Sequence, residues 1–168
     1  RKRLEILKAL TAAKGREGKV LEEERWRKKN YAISYYAVKQ DGTNLGPHGK
    51  QDRFHRSKAR IREVDGGNRS GKSTALIAEV VSHALGYRPW LAKDDPDYKV
   101  NVRIPSKGLV VGESFGEQVK KVLIPKLLGD VENGVPGLIP TEELARTKCN
   151  PQGVITEIVL KNGSNIHL

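Results

Sequence analysis

The stretch that decides the reading is Gly66-Gly67-Asn68-Arg69-Ser70-Gly71-Lys72-Ser73, followed by Thr74. It fits the phosphate-binding pattern G-x-x-x-x-G-K-[ST] at every fixed position. Glycines let a backbone curl until successive N–H groups face one concavity, a nest for phosphate oxygens. The next residues, Ser73 to Leu85 (STALIAEVVSHAL), read as a mostly apolar helix stopped by Gly86. A helix beginning there adds free N–H groups and the positive end of its dipole. On this pattern Lys72 reaches the β- and γ-phosphates, and the Ser73 hydroxyl is placed to bind Mg²⁺. Gly66, Gly67, Asn68, Arg69, Ser70, Gly71 and Thr74 complete the candidate contacts, and the expected ligand is ATP with Mg²⁺. A Gly-rich turn with a solvated lysine is the competing reading. It explains less, because the string falls between a candidate strand and a buried helix.

Working outward, Arg60 to Asp65 is that candidate strand, with Arg62 and Glu63 interrupting Ile61 and Val64. Arg88 to Pro105 is a polar connection whose Asp94, Asp95 and Asp97 are expected to be solvated rather than to bind metal. Leu109 to Val111 reads as a second strand and Gly116 to Leu128 as a second helix, which Pro125 should kink or end. Thr141 with Glu142 and Glu143 resembles another helix start. From Val154 to Leu160 the apolar residues alternate, Asn162-Gly163 suits a type I′ turn, and Ser164 to Leu168 returns, so a hairpin is expected. Strand–turn–helix followed by strand and helix predicts an α/β fold with parallel neighbours in the sheet.

The chain of 168 residues has a formal charge of +11, unevenly placed. Arg1 to Arg62 holds 18 basic and 7 acidic residues, whereas Glu63 to Leu168 holds 13 of each. The first third therefore suggests an anionic partner such as nucleic acid, or else a solvated helical surface. Leu4, Leu7 and Leu10 fall near helical spacing. Glu22 to Ala37 reads as a further helix whose Trp26, Tyr31, Ile33, Tyr36 and Ala37 are expected to pack in a core, with stacking of the aromatics on bases as the alternative. Asp41 to Lys50 is loop-like, which divides the chain into a basic helical region (1–50) and an ATPase-like region (51–168). A single cysteine, Cys149, excludes an internal disulfide framework. His48, His55, His83 and His167 lack partners at metal-ligand spacing, no catalytic triad is visible, and Glu113 is expected at the surface. No run approaches the ~18 apolar residues of a membrane span. The first residue is Arg and no Met occurs, so residue 1 is not expected to be a native start.

These residues resemble the large terminase subunit of tailed bacteriophages, the ATPase–nuclease motor that packages DNA into procapsids. The likeness spans about Gln51 to Leu168. It rests on the loop with an Arg inside it (Arg69), on Gln51…Phe54-His55…Ala59-Arg60, and on Lys161-Asn162-Gly163-Ser164-Asn165-Ile166. The resemblance implies a P-loop NTPase fold, here a truncated parallel-sheet ATPase core. It further implies adenine recognition by Gln51, whose side-chain amide both donates and accepts, and γ-phosphate stabilisation by Arg69. Lys72 and Arg69 are then the catalytic candidates and Ser73 the metal ligand.

Double-stranded DNA, the small terminase subunit, the procapsid portal and a homo-oligomeric ring are the implied partners. The implied location is the host bacterial cytoplasm, transiently on the procapsid, with no membrane. The family's acidic Asp-Glu motif and its nuclease domain are not found in the 168 residues, so an N-terminal fragment with an unpaired sheet edge near Val154 to Leu168 is expected. Two alternatives stand beside this reading: another nucleic-acid-dependent ATPase of helicase or AAA type, or a non-catalytic docking module that binds nucleotide to order its fold.

Overall fold

The computed structural model describes residues 18, 20–22, 25, 32–36, 47–67, 70–130 and 132–168. Leu4, Leu7, Leu10, Trp26, Tyr31, Ala37, Asn68 and Arg69 lie outside the described residues. Among the described residues the fold is mixed α/β, with a four-stranded sheet and helices packed on it. No helix of the described residues is long and apolar enough to cross a membrane.

The central helix, α2 (Lys72–Leu85), is apolar on most faces because it is buried on most faces. Ile77, Ala78, Val81, Ala84 and Leu85 enter the core cluster. At its end Gly86 takes φ +89°, in the left-handed region, and its N–H bonds Ser82 O. The last carbonyls of α2 are satisfied from outside the helix: Ser106 Oγ donates to His83 O at 3.1 Å, and Asn162 Nδ2 donates to Ala84 O at 2.9 Å. That second bond fixes the turn of the distant hairpin against the end of α2. A shorter helix, α1 (Gly49–Arg56), lies before the loop. Ile33 and Tyr36, in and after a single turn of tighter helix (Ala32–Tyr35), are buried in the same core as α2. This turn therefore packs with residues 51–168 across the boundary expected at residue 50.

The sheet contains β1 (Lys107–Leu109), β4 (Leu144–Cys149), β5 (Ile155–Leu160) and β6 (Asn165–His167), in the spatial order β1-β6-β5-β4. Only β1 and β6 run parallel; β4–β5 and β5–β6 are antiparallel. The sheet is thus mixed where parallel neighbours were expected, because two of its three pairings are made by consecutive antiparallel strands. Two very short strands, β2 (Gly129–Asp130) and β3 (Val135–Pro136), pair separately.

Several expectations are corrected by this arrangement. Residues 60–65 form no strand. Ile61 is 91% exposed, and Arg62 turns inward to a charge rather than along a sheet. The strand expected at Leu109 to Val111 lies at Lys107–Leu109. The helix expected over Gly116 to Leu128 is a widened, π-type segment (Phe115–Leu123) that passes into α3 (Ile124–Leu128). The widening has a cause: Pro125 has no N–H and its ring would strike a carbonyl four residues back. The i→i+5 turn, in which Ile124 N–H reaches Val119 O, lets Pro125 open a fresh segment instead.

Thr141–Glu143 is one 3₁₀ turn, after which the chain enters β4, a strand not expected from the sequence. β4 covers one side of the hairpin and β1 the other, so β5 and β6 are interior strands and not the predicted open edge. The hairpin itself stands, but its turn is not type I′. Leu160 pairs with Ser164 across the three residues 161–163, one more than a type I′ turn has, Leu160 O accepts from Gly163 N at 3.0 Å, and Gly163 takes φ +86°.

One buried charge sits within this apolar frame. Glu79, on α2, is 5% exposed. It accepts from His55 Nδ1 (2.6 Å), Arg62 (2.8 Å), His83 Nε2 (3.1 Å) and Arg88 (3.3 Å). Burial pushes its carboxyl upward in pKa, but the hydrogen bonds from His55, His83 and Arg62 and the charge of Arg88 outweigh burial and hold it well below the usual carboxylate range. A depressed carboxylate contributes stability that is complete above its unfolded pKa of about 4.3 and is lost as the pH falls below it. Glu79→Gln is therefore expected to destabilise the protein by about 3 kcal/mol at pH 7, since it leaves buried cations unpaired. The gap between variant and parent should narrow only below about pH 4. Guanidinium unfolding at pH 7 and pH 3 measures this, and an equal gap at both pH values would refute the account.

Candidate functional site: a phosphate-binding loop

The loop precedes α2 directly, and Gly71 is the residue that caps it. Its φ of +81° lies in the left-handed region, and a Cβ there would stand 2.7 Å from Gln51 Nε2. Gly71 O accepts the first helical bond, from Ala75 N at 2.9 Å. The amides of Lys72, Ser73 and Thr74 come before that bond, so they have no carbonyl to reach within the helix. They form the positive end of a buried helix of 14 residues. On the approach, Asp65 Oδ1 accepts from Gly66 N at 2.7 Å, and Ser70 N donates back to Gly67 O at 3.3 Å. The loop is thus closed on itself by short-range bonds. Lys72 reinforces that closure: its ammonium donates to Gly66 O and, at 2.9 Å, to Gly67 O.

Gln51 reaches the loop from α1. Its Nε2 donates to Gly71 O at 3.4 Å, while its Oε1 accepts from His48 N at 3.3 Å. The side chain is therefore half-buried and engaged rather than solvated. Between α1 and the loop lies a cleft of about 530 Å³, lined by His48, Gln51, Phe54, Val64, Gly66 and Lys72 among others. That volume falls within the range of small-molecule sites. A second cleft of about 520 Å³ lies between α2 and β1, with walls that include Leu76, Val80, Leu109 and Val110. None of the loop residues lines it, whereas Gly66, Gly67, Ser70 and Lys72, with Gln51, line the first cleft.

Of the residues expected from sequence, Gln51, Gly66, Gly67, Ser70 and Lys72 line one cleft and Gly71 contacts Gln51. Ser73 is exposed at the start of α2, which leaves its hydroxyl open to solvent. Thr74 Oγ1 accepts from Lys126 Nζ at 3.1 Å, a bond that ties the helix start to α3. Asn68 and Arg69 lie outside the described residues. Among the described residues no group of three His, Cys, Asp or Glu side chains is placed to hold a metal. The donor set at the loop, one exposed serine hydroxyl, suits an ion such as Mg²⁺ that takes its other ligands from phosphate and water.

Asp95 and Asp97 are not solvated as expected. They hold Arg56 at 3.1 Å each, with Asp52 as a third partner at 3.0 Å, and the Arg56 hydrogen bond keeps the Asp95 carboxyl below its ordinary pKa. Glu113 is exposed, as read, and Cys149 is exposed as well. The groups that sequence reasoning missed are Glu79 and its ring of partners. The available signal was a lone carboxylate between Ala78 and Val80 in an otherwise apolar helix.

No protein-family model, curated protein or solved structure matches this chain.

Two of the loop's three glycines give a paired prediction. Gly71→Ala forces a side chain into the left-handed region and onto Gln51, and should lower affinity for triphosphate by about tenfold or more, since such strain costs about 1–2 kcal/mol. A Cβ at Gly67 meets nothing within 4 Å, so Gly67→Ala should change affinity less than about threefold. Isothermal titration with tripolyphosphate compares them. If Gly71→Ala binds as the parent does, the left-handed cap does not shape the site.

Proposed function

We propose that the chain is the nucleotide-binding part of a P-loop ATPase. By resemblance, the motor would be a viral DNA-packaging one, a terminase large subunit that couples ATP hydrolysis to translocation of double-stranded DNA. The observation that carries the nucleotide reading is convergence: Gln51, Gly66, Gly67, Ser70 and Lys72 line one cleft at the N-terminus of a buried helix. In this reading the phosphates lie against the loop and the free amides of α2, and Lys72 leaves the loop carbonyls for the β- and γ-phosphates. Gln51 meets the base from α1, and Arg69 offsets charge on the transferring phosphoryl group. Mg²⁺ held at Ser73 would neutralise phosphate charge. The small subunit, the portal and a ring of copies remain partners by resemblance alone, as does the bacterial cytoplasm as location.

Titration with a fluorescent ATP analogue in Mg²⁺ tests the nucleotide reading. The parent should bind, and Lys72→Ala should lose about 2 kcal/mol or more of binding, a factor of about 30, with an unchanged circular dichroism spectrum. Equal binding by both proteins would refute the loop assignment.

The DNA reading makes a separate prediction. Binding to double-stranded DNA should be independent of sequence and should weaken with salt at a slope of about −0.9 per phosphate neutralised. Replacing Arg1, Lys2, Arg3 and Lys8 by Gln should flatten that slope, and an unchanged slope would assign the basic third to another role.

A further inference from the structure

A densely bonded buried group, which also lines the second cleft, lies one helical turn along α2 from the first. Ala75 lines the first cleft, and Glu79 stands one helical turn beyond it on α2. The Glu79 carboxylate gathers one partner from each segment that walls the cleft. His55 belongs to α1, which brings Gln51 and Phe54 to the cleft. Arg62 opens residues 62–67, which bring Val64, Gly66 and Gly67. α2 itself brings Lys72. Arg62 also donates to Phe54 O at 2.9 Å, and its guanidinium lies 4.8 Å over the Phe54 ring. Arg88 donates to His55 O at 2.6 Å. The two arginines thus cap the last carbonyls of α1 while they pair with Glu79.

Within α1, Gln51 and His55 are four residues apart and share one face. Hence a roll of α1 that parts His55 from Glu79 also carries Gln51 off Gly71 O. A carboxylate only accepts, so His55 Nδ1 carries the proton in its 2.6 Å bond to Glu79. Tyr36 Oη lies 2.7 Å from His55 Nε2 and fixes the other side of the ring. His55 is 1% exposed and is packed between Tyr36 and Trp90, with ring centroids 5.5 and 4.9 Å away. The imidazole has a single orientation, and that orientation sets the azimuth of α1.

We propose that Glu79, acting through His55, is a positioning residue for the base side of the nucleotide cleft: it sets the placement of Gln51 relative to the loop and so the choice among nucleobases. This inference rests on the nucleotide reading above. Affinity for the phosphates belongs to the loop and the first turn of α2, and the partners of the carboxylate, His55, Arg62, His83 and Arg88, lie in neither.

The test uses the full chain and three probes: MgATP, MgGTP and tripolyphosphate, which has no base. The parent should bind all three and prefer ATP over GTP. In His55→Leu the preference should fall about tenfold, while tripolyphosphate affinity stays within about twofold. Tyr36→Phe removes one hydroxyl and should shift the preference the same way by a smaller factor. It decides the question by the same criteria if His55→Leu does not fold. In a Gln51→Ala background, His55→Leu should have no further effect on preference. A folded variant that keeps the full ATP preference overturns the proposal, as does one that loses affinity equally for all three probes, or a parent with no preference. A parent that binds neither MgATP nor tripolyphosphate refutes the nucleotide reading itself, a result distinct from binding that is indifferent to His55.

Discussion

A carboxylate taken out of water must either give up its charge or be surrounded by donors, and Glu79 takes the second course. Much of the described structure depends on how its four partners are delivered. α1 has only 8 residues, too few to persist alone. It is held because His55 reaches the carboxylate and because Arg62 and Arg88 take up its final carbonyls. Residues 62–67 have no strand partner to fix their course, and Arg62 fixes it instead. Arg88 joins the polar connection to the same point through Asp97 O at 2.7 Å. Removing one donor leaves the others to carry a charge they only jointly balance, so these segments stand or fall together.

The apolar core does a different task. Ile77, Val81, Leu127, Ile158, Leu160 and Ile166 are almost wholly buried and hold α2 and α3 with the interior strands of the sheet. Each such side chain contributes about 1.5–3 kcal/mol, without direction. Direction comes from the polar bonds at the ends of α2. Ser106 and Asn162 fix its C-terminus against the loop before β1 and against the hairpin turn, while Thr74 and Lys126 fix its N-terminus against α3. The loop is therefore presented from a helix restrained at both ends.

The legible parts of the sequence were those in which a local rule and the tertiary outcome coincide. The run from Ser73 to Gly86 was legible as a helix, which starts one residue earlier, because its apolar content, its length and its terminal glycine all serve one helix. The hairpin was legible from alternation, and only its turn type differed, since three residues, 161–163, join the strands where a type I′ turn has two. The loop residues were legible as a pattern, and Gly66, Gly67, Ser70 and Lys72 line a common cleft with Gln51. What was illegible depended on distant partners. Arg60 to Asp65 looks like a strand until Arg62 is seen to be claimed by Glu79. Leu144 to Cys149, with Arg146 and Lys148 exposed, becomes β4 only because β5 is there to pair with it. Asp95 and Asp97 look solvated until Arg56, far back in the chain, arrives between them.

The bonds from Lys72 to the carbonyls of Gly66 and Gly67 set an entry condition for any ligand of the loop. The ammonium already has two oxygen acceptors, so a visiting anion competes with the backbone as well as with water. A singly charged ion that offers one contact cannot repay the loss of two. A polyanion that spans the loop can, because it engages Lys72 and the helix amides in the same step. On the nucleotide reading proposed above, the loop would thus favour ligands that carry several negative oxygens together over a single halide ion.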